Sequence, residues 1–336
     1  ITFFPQLIAG PIVYLSEFKK SIESSDWLKW NDRNITDGIF LFCIGLFKKL
    51  VLADTFSIFA DTTFNSSLEY LNSSSAWIGA VSYYFQMYFD FSGYCDMAIG
   101  AGLLFNIKLP LNFNSPYKAL NIQDFWRRWH ITLSRWLKDF IYIPLGGSRC
   151  KHWKTISNVV FVFLIGGIWH GANWTFVVWG LFHGIGIAVF IFWKKLNIKI
   201  PRILSYIITQ AFILLLWVFF RSKDIDHSVN YFNKMFDFCE LYKLQDIFNH
   251  VCTSHLSLTS IEIKFHDMNA VVVIYWSILT IMSIILIIKG LNYSSLILNK
   301  KCYTQRYKAI FCAIVVFGCI VLRPILRESP FIYFNF

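Results

Sequence analysis

The stretch Ile156–Trp193, ISNVVFVFLIGGIWHGANWTFVVWGLFHGIGIAVFIFW, runs 38 residues without an Asp, Glu, Lys or Arg. A helix crossing the hydrocarbon core of a bilayer needs ~20 apolar residues. The stretch therefore holds two short spans joined by a turn, a hairpin that starts and ends on one side. Its first arm, Ile156–Trp169, has 14 residues and would rise only ~21 Å. The run Gly166–Trp174 (GGIWHGANW) is accordingly expected to turn at membrane depth. Irregular backbone is tolerated there only inside protein or along a wet cavity, which His170 would face.

Working outward, further apolar spans are Ile39–Ala60, Ala76–Phe105 (with a break expected at Gly93), Ile203–Phe220, Ala270–Ile288 and Ala309–Leu322. Composition agrees: 56% of the 336 residues are apolar and only 15% charged, against about 25% charged in soluble domains. The fold class is thus an all-α, polytopic integral membrane protein with the lipid bilayer as its solvent. The net charge of +11 would raise nucleic acid as a partner in a soluble chain. Here the basic residues fall in short blocks between spans and are read as topology, not as a nucleic-acid face.

The positive-inside rule places Asn106–Lys154, the block Lys194, Lys195, Lys199 and Arg202, and Lys289–Lys308 in the cytoplasm. Asp61–Ser75 and the acid-rich Arg221–Asn269 fall outside. The spans alternate consistently with these sides, and the C-terminal FIYFNF (Phe331–Phe336) reaches the outer face. The chain begins at Ile1 without an initiator Met or a signal peptide, and is expected to be a fragment lacking N-terminal helices. No Cys/His spacing suits a metal. Cys239 and Cys252 share one polar loop and can pair there if it lies outside.

Three clusters carry chemistry. His170 is an ionisable residue within an apolar hairpin, which is a functional hypothesis by default, and imidazole can act as a general base near neutral pH; the alternative is a helix-packing histidine. In Gln123–Asp139, Trp126, Trp129 and Leu133 form an apolar stripe, with Arg127, Arg128, Arg135 and Lys138 supplying charge. Two readings stand: an interfacial surface helix, or a mouth for an anionic donor such as coenzyme A with His130 pointing inward. Third, Asp90 and Asp96 lie within an apolar span and need partners. They can pair structurally, orient a histidine, or bind Arg127 or Arg128. Lys48 and Lys49 are expected to snorkel and take no catalytic role.

On these stretches, the chain resembles the membrane-bound O-acyltransferase family in its bacterial alginate O-acetyltransferase-like branch. The matching motifs are PQLIAGP (Pro5–Pro11), GLFKK (Gly45–Lys49), DFSGYCDMAIG (Asp90–Gly100), PLNFNSPY (Pro110–Tyr117), DFWRRWHITLS (Asp124–Ser134), YIPLGG (Tyr142–Gly147), GIWHGA (Gly167–Ala172), WGLFHG (Trp179–Gly184) and FIYFNF (Phe331–Phe336). Cys95, Ser148 and Asn335 depart from the usual Ser, Asn and Gln. The resemblance implies one domain over residues 1–336: a ring of tilted helices around a transmembrane tunnel. A cytoplasmic donor, acetyl-CoA, would enter from one side, with no resident cofactor. His170 matches the family's essential histidine, with Trp169 beside it, and His130 matches a second tunnel histidine. Tyr333 matches a C-terminal tyrosine proposed as an acyl carrier. The implied partner is a periplasmic acetyltransferase of serine-hydrolase type, which places the group on an extracytoplasmic polysaccharide such as alginate or peptidoglycan. Two other readings are a polytopic transporter and D-alanyl transfer to teichoic acid by the same fold.

Overall fold

The computed structural model describes residues 10–23, 27, 29–67, 71–237, 268–289 and 305–322, and every regular element among them is helical. Tyr333 with its hexapeptide, Cys239 and Cys252 lie outside the described residues. After a short α1 (Leu15–Glu23), α2 (Asp32–Phe47) starts on Asn31, whose side chain accepts from the Asn34 N–H. It continues through a wide π-type turn, Lys48–Ala53, into α3 (Asp54–Asn65). The long α4 (Ser73–Leu104) is capped by reciprocal Asn72 and Ser75 bonds; its 32 residues rise about 48 Å.

The break expected at Gly93 is absent, because that glycine serves a close approach instead. Gly38 and Gly45 on α2 face Gly100 and Gly93 on antiparallel α4. A Cβ on Gly38 would lie 2.7 Å from the Gly100 carbonyl oxygen, and one on Gly93 would lie 2.8 Å from that of Gly45. Small residues repeated every second turn let two apolar helices pack backbone to backbone.

The single amphipathic helix expected over Gln123–Asp139 is broken. Helix α5 (Ile122–Trp126) ends at Arg127, and α6 (Ile131–Leu137) begins after His130, whose φ of 43° is left-handed. Trp126, Trp129 and Leu133 are buried, so the stripe faces the core and not an interface. Helix α1 is tied to α6 by Glu17, which accepts from Arg135 at 2.7 and 3.0 Å; that guanidinium holds the Glu17 carboxyl below its usual range.

The hairpin forms as α7 (His152–His170) and α8 (Trp174–Lys195), but its first arm is longer than expected. The charged and amphipathic residues His152–Thr155 join α7, giving 19 residues and a rise of about 28 Å. The turn at Gly171–Asn173 is therefore level with a helix end: the Asn173 amide donates to the Lys223 carbonyl just beyond α9 (Arg202–Arg221). The chain continues through α10 (Ile225–Met235), α11 (Met268–Lys289) and α12 (Gln305–Leu322).

Polar contacts sort the helix ends into two groups. At one end Asn34 meets Asn106 at 2.8 Å, and Lys308 pairs with Asp37. At the other, Arg221 bonds Asp61 at 2.8 Å and the Tyr231 hydroxyl bonds the Ala76 carbonyl at 3.0 Å. Between them the outer surface is apolar: Val189, Ile203, Ile207, Ile274, Ile278, Ile310 and Phe317 are all exposed. Only α8 and α9 are, by length and composition alone, apolar enough throughout to count as spans among the described residues. Helices α2 to α4 carry Lys48, Lys49, Asp54, Asp90 and Asp96, which are buried ion pairs.

Candidate active site

His170 is the last residue of α7, and its ring is buried among aromatics. Trp179 and Phe220 present their rings edge-on at 5.2 and 5.1 Å, and Trp169 packs at 5.0 Å on the opposite side. Gly171 permits the tight exit, since a Cβ there would meet the Phe176 ring at 2.8 Å. The imidazole is thus held by shape among aromatic rings.

His130 is fixed differently, by hydrogen bonds. Asn112, fully buried, is the hub. Its Oδ1 accepts from the Thr132 N–H at 3.2 Å and from the Thr132 hydroxyl at 2.9 Å, and lies 3.1 Å from His130 Nδ1. Its Nδ2 faces Cys95 Sγ at 3.2 Å. A backbone N–H can only donate, so the atom facing Thr132 is the amide oxygen. The same oxygen then needs a proton on His130 Nδ1. The Asn112 carbonyl also accepts from the Ile131 N–H at 2.9 Å, holding the left-handed backbone at His130. The Trp169 ring lies 6.3 Å from that of His130 and so bridges the two histidines.

A cavity of about 290 Å³ connects part of this machinery. His170, Gly166, Val162 and Val159 line it along α7, with Trp126 and Trp179 across from them and Arg127 and Lys138 at its polar margin. From Val159 to His170 the wall covers 12 residues of α7, about 16 Å along its axis. Arg127 reaches this cavity, whereas Arg128 is turned aside: its Nε donates to Asp124 at 2.9 Å and its Nη1 to the Asn114 carbonyl at 3.3 Å.

Asp90 and Asp96 meet neither arginine. Asp90 takes an ion pair from Lys49 at 2.8 Å, and Lys49 also reaches Asp54 at 2.8 Å. Asp96 pairs with Lys48 at 2.5 Å. The lysines do not snorkel; the π-type turn points two consecutive residues at carboxylates on α4 and α3, and Lys49 is 6% exposed. Asn112 and the hub around it carried no periodic signal. A third histidine, His183, sits fully buried on α8 one turn beyond Trp179. Its Nδ1 accepts from the Trp126 indole at 3.2 Å. The signal for it was present: a lone histidine in an apolar span, as with His170.

Comparison with known proteins places this geometry. The family model described as MBOAT, membrane-bound O-acyltransferase family, matches residues 1–223. Over 233 residues the chain is 56% identical to the peptidoglycan O-acetyltransferase of Helicobacter pylori, covering 68% of this chain and 44% of the relative. It is 39% identical over 242 residues to the probable alginate O-acetylase AlgI of Pseudomonas aeruginosa (71% and 45% covered). It is 29% identical over 252 residues to the teichoic acid D-alanyltransferase of Bacillus subtilis (68% and 61% covered). The chain spans about half the length of the O-acetylating relatives. The matched residues include both histidines, the Asn112 hub and the α7–α8 hairpin, and the chain belongs to the membrane-bound O-acyltransferase family.

Proposed function

We propose that the chain moves acetyl groups from a cytoplasmic thioester donor, acetyl-CoA, through a tunnel between its helices for O-acetylation of an extracytoplasmic polysaccharide. Peptidoglycan is the favoured acceptor, because the relative bearing that name shares 56% identity against 39% for an alginate O-acetylase. The observation that carries the reading is the cavity walled by both Arg127 and His170. It offers a guanidinium for phosphate at one margin and a desolvated imidazole at depth. The grouping of helix ends supports a multi-pass arrangement in the bacterial inner membrane, with Lys308 and Arg127 inside and Arg221 outside.

In this mechanism His170 takes the proton of the attacking hydroxyl as its oxygen bonds the thioester carbonyl carbon. The tetrahedral intermediate then breaks its C–S bond, and the thiolate leaves to be protonated. His130, with Nδ1 held by Asn112, presents Nε2 to the same tunnel. The first acceptor is Tyr333 of the C-terminal hexapeptide. Its phenol, with an ordinary pKa of ~10, needs a base to attack at neutral pH. The acetyl ester on Tyr333 is then passed to the serine of a periplasmic serine-hydrolase-type partner.

The test is acetate released by base from purified peptidoglycan of cells carrying each variant at equal membrane abundance. His170→Ala is expected to remove nearly all of it, since acid–base catalysis is worth roughly 100–10,000-fold. Tyr333→Phe keeps the ring and is expected to be equally inactive. A fully active Tyr333→Phe protein removes the relay from the mechanism, and a fully active His170→Ala protein removes the reading itself.

A further inference from the structure

A cavity larger than the one at His170 lies on the far side of α8, open between α8 and α9. Its volume is about 840 Å³. Its walls are apolar: Phe182, Ile185, Val189 and Ile208, all reaching the outer surface, with Phe212 at the back. Gly186 makes that depth, since a Cβ there would meet the Phe212 ring at 2.8 Å. Both of its charged residues lie at one end, where Lys194, Lys199, Asn197 and Ser205 line the rim around the α8–α9 turn; Asn121 and Thr209 are the other polar residues of the lining. That turn is a built feature: the Trp193 indole donates to the Ile198 carbonyl at 3.1 Å, and Asn197 takes a left-handed φ of 54°. The catalytic residues are not part of it. The surface on both sides, Val189, Phe192, Leu204 and Ile207, is exposed and apolar, as befits a face toward lipid chains.

We propose that this groove binds one anionic phospholipid, with an acyl chain between α8 and α9 and its phosphate-bearing headgroup at Lys194 and Lys199. The groove is an apolar slot with two ammonium groups at a single end, which complements an amphiphile with an anionic head. Trp193 sits at the same level as the lysines, and tryptophan favours the headgroup layer of a bilayer. Basic pockets between spans recognise anionic headgroups by this geometry. A zwitterionic lipid gains nothing net from the two lysines and should bind the slot about 30-fold more weakly. The proposal does not depend on the reaction the chain performs.

The experiment uses the full chain in nanodiscs, with a phosphatidylglycerol carrying a photoreactive acyl chain and peptide mapping of the labelled sites. Labelling is expected on Phe182–Val189 and on Ile208–Phe212, competed by unlabelled phosphatidylglycerol and not by phosphatidylcholine of the same chains or by glycerol phosphate. Lys194→Gln with Lys199→Gln should weaken that competition about 30-fold, from the effect of two basic residues near an anionic surface. Val189→Trp should block labelling whatever the headgroup. Val189 and both lysines are exposed, so these variants leave the packed core untouched. Equal competition by phosphatidylcholine, or unchanged affinity in the double lysine variant, overturns the headgroup assignment. Competition by acetyl-CoA instead overturns the lipid as occupant.

Discussion

Replacing Asn112 by Ala tests whether the hub orients His130. The side chain receives the Thr132 N–H and hydroxyl and faces both His130 Nδ1 and Cys95. Removing it deprives three buried donors of this acceptor; the Thr132 hydroxyl can rotate, which leaves the Thr132 amide and the His130 ring. Each unsatisfied buried group costs ~1–3 kcal/mol, together ~2–6 kcal/mol, against ~5–15 kcal/mol of total stability for a typical domain. Reduced membrane abundance is therefore expected along with reduced activity. Asn112→Asp separates the two effects: it keeps an acceptor toward Thr132 and His130, loses the weak contact to Cys95, and adds a buried carboxyl that the His130 Nδ1–H can pair with. The assay is base-released acetate per unit of inserted protein. Asn112→Ala should fall by about 100-fold per molecule, at the low end for a misoriented acid–base group. Asn112→Asp should insert better than the alanine variant and retain more activity per molecule. Asn112→Ala activity within twofold of the parent would refute the claim that this amide sets the state of His130.

Arg127→Ala should raise the acetyl-CoA concentration needed for half-maximal transfer by about 10- to 100-fold, the worth of one charged hydrogen bond. Arg128→Ala should leave that concentration unchanged, because Arg128 is committed to Asp124 in an exposed pair worth ~0.3–0.5 kcal/mol. Lys49→Met removes the cation that Asp54 and Asp90 share and should cost ~3–5 kcal/mol, read as loss of inserted protein. Adding Asp54→Asn and Asp90→Asn should restore it, and failure of that rescue would point to a role for Lys49 beyond pairing. Gly45→Leu should abolish insertion by forcing α2 from α4 at their closest approach, whereas Gly318→Leu, with open space around it, should be accommodated; equal abundance of both variants would contradict the packing argument.

What the sequence made legible followed from composition and periodicity, and what it hid depended on partners far along the chain. The uncharged run around His170 announced a hairpin, yet its first arm is five residues longer than the run suggested. Charged and amphipathic residues at 152–155 were counted as loop, although a helix can carry them at its end. The stripe Trp126, Trp129, Leu133 was real, but a stripe does not say whether it meets lipid headgroups or a protein core. Gly93 looked like a break because one glycine in a helix is ambiguous; only the matching seven-residue spacing of Gly38 with Gly45 and Gly93 with Gly100 distinguishes packing from interruption. Lys48 and Lys49 looked like snorkelling residues because nothing local reveals a π-type turn that aims both inward.

The two histidines are held by opposite physical means, and that division makes sense of their surroundings. His170 closes α7 and is caged by Trp179, Phe220 and Trp169, ring contacts that confine it by shape. His130 stands on a short, left-handed break where no helix can hold it, so its orientation must come from directional bonds, and Asn112 supplies them from 18 residues away. The break itself is required: a continuous helix through residues 127–130 would carry His130 past the Asn112 amide and remove the Ile131 N–H from the Asn112 carbonyl. The irregular α5–α6 segment sets this one histidine off the helical path. The surrounding aromatics, Phe91, Phe113 and Trp129 among them, supply the packing that offsets the lost helical bonds.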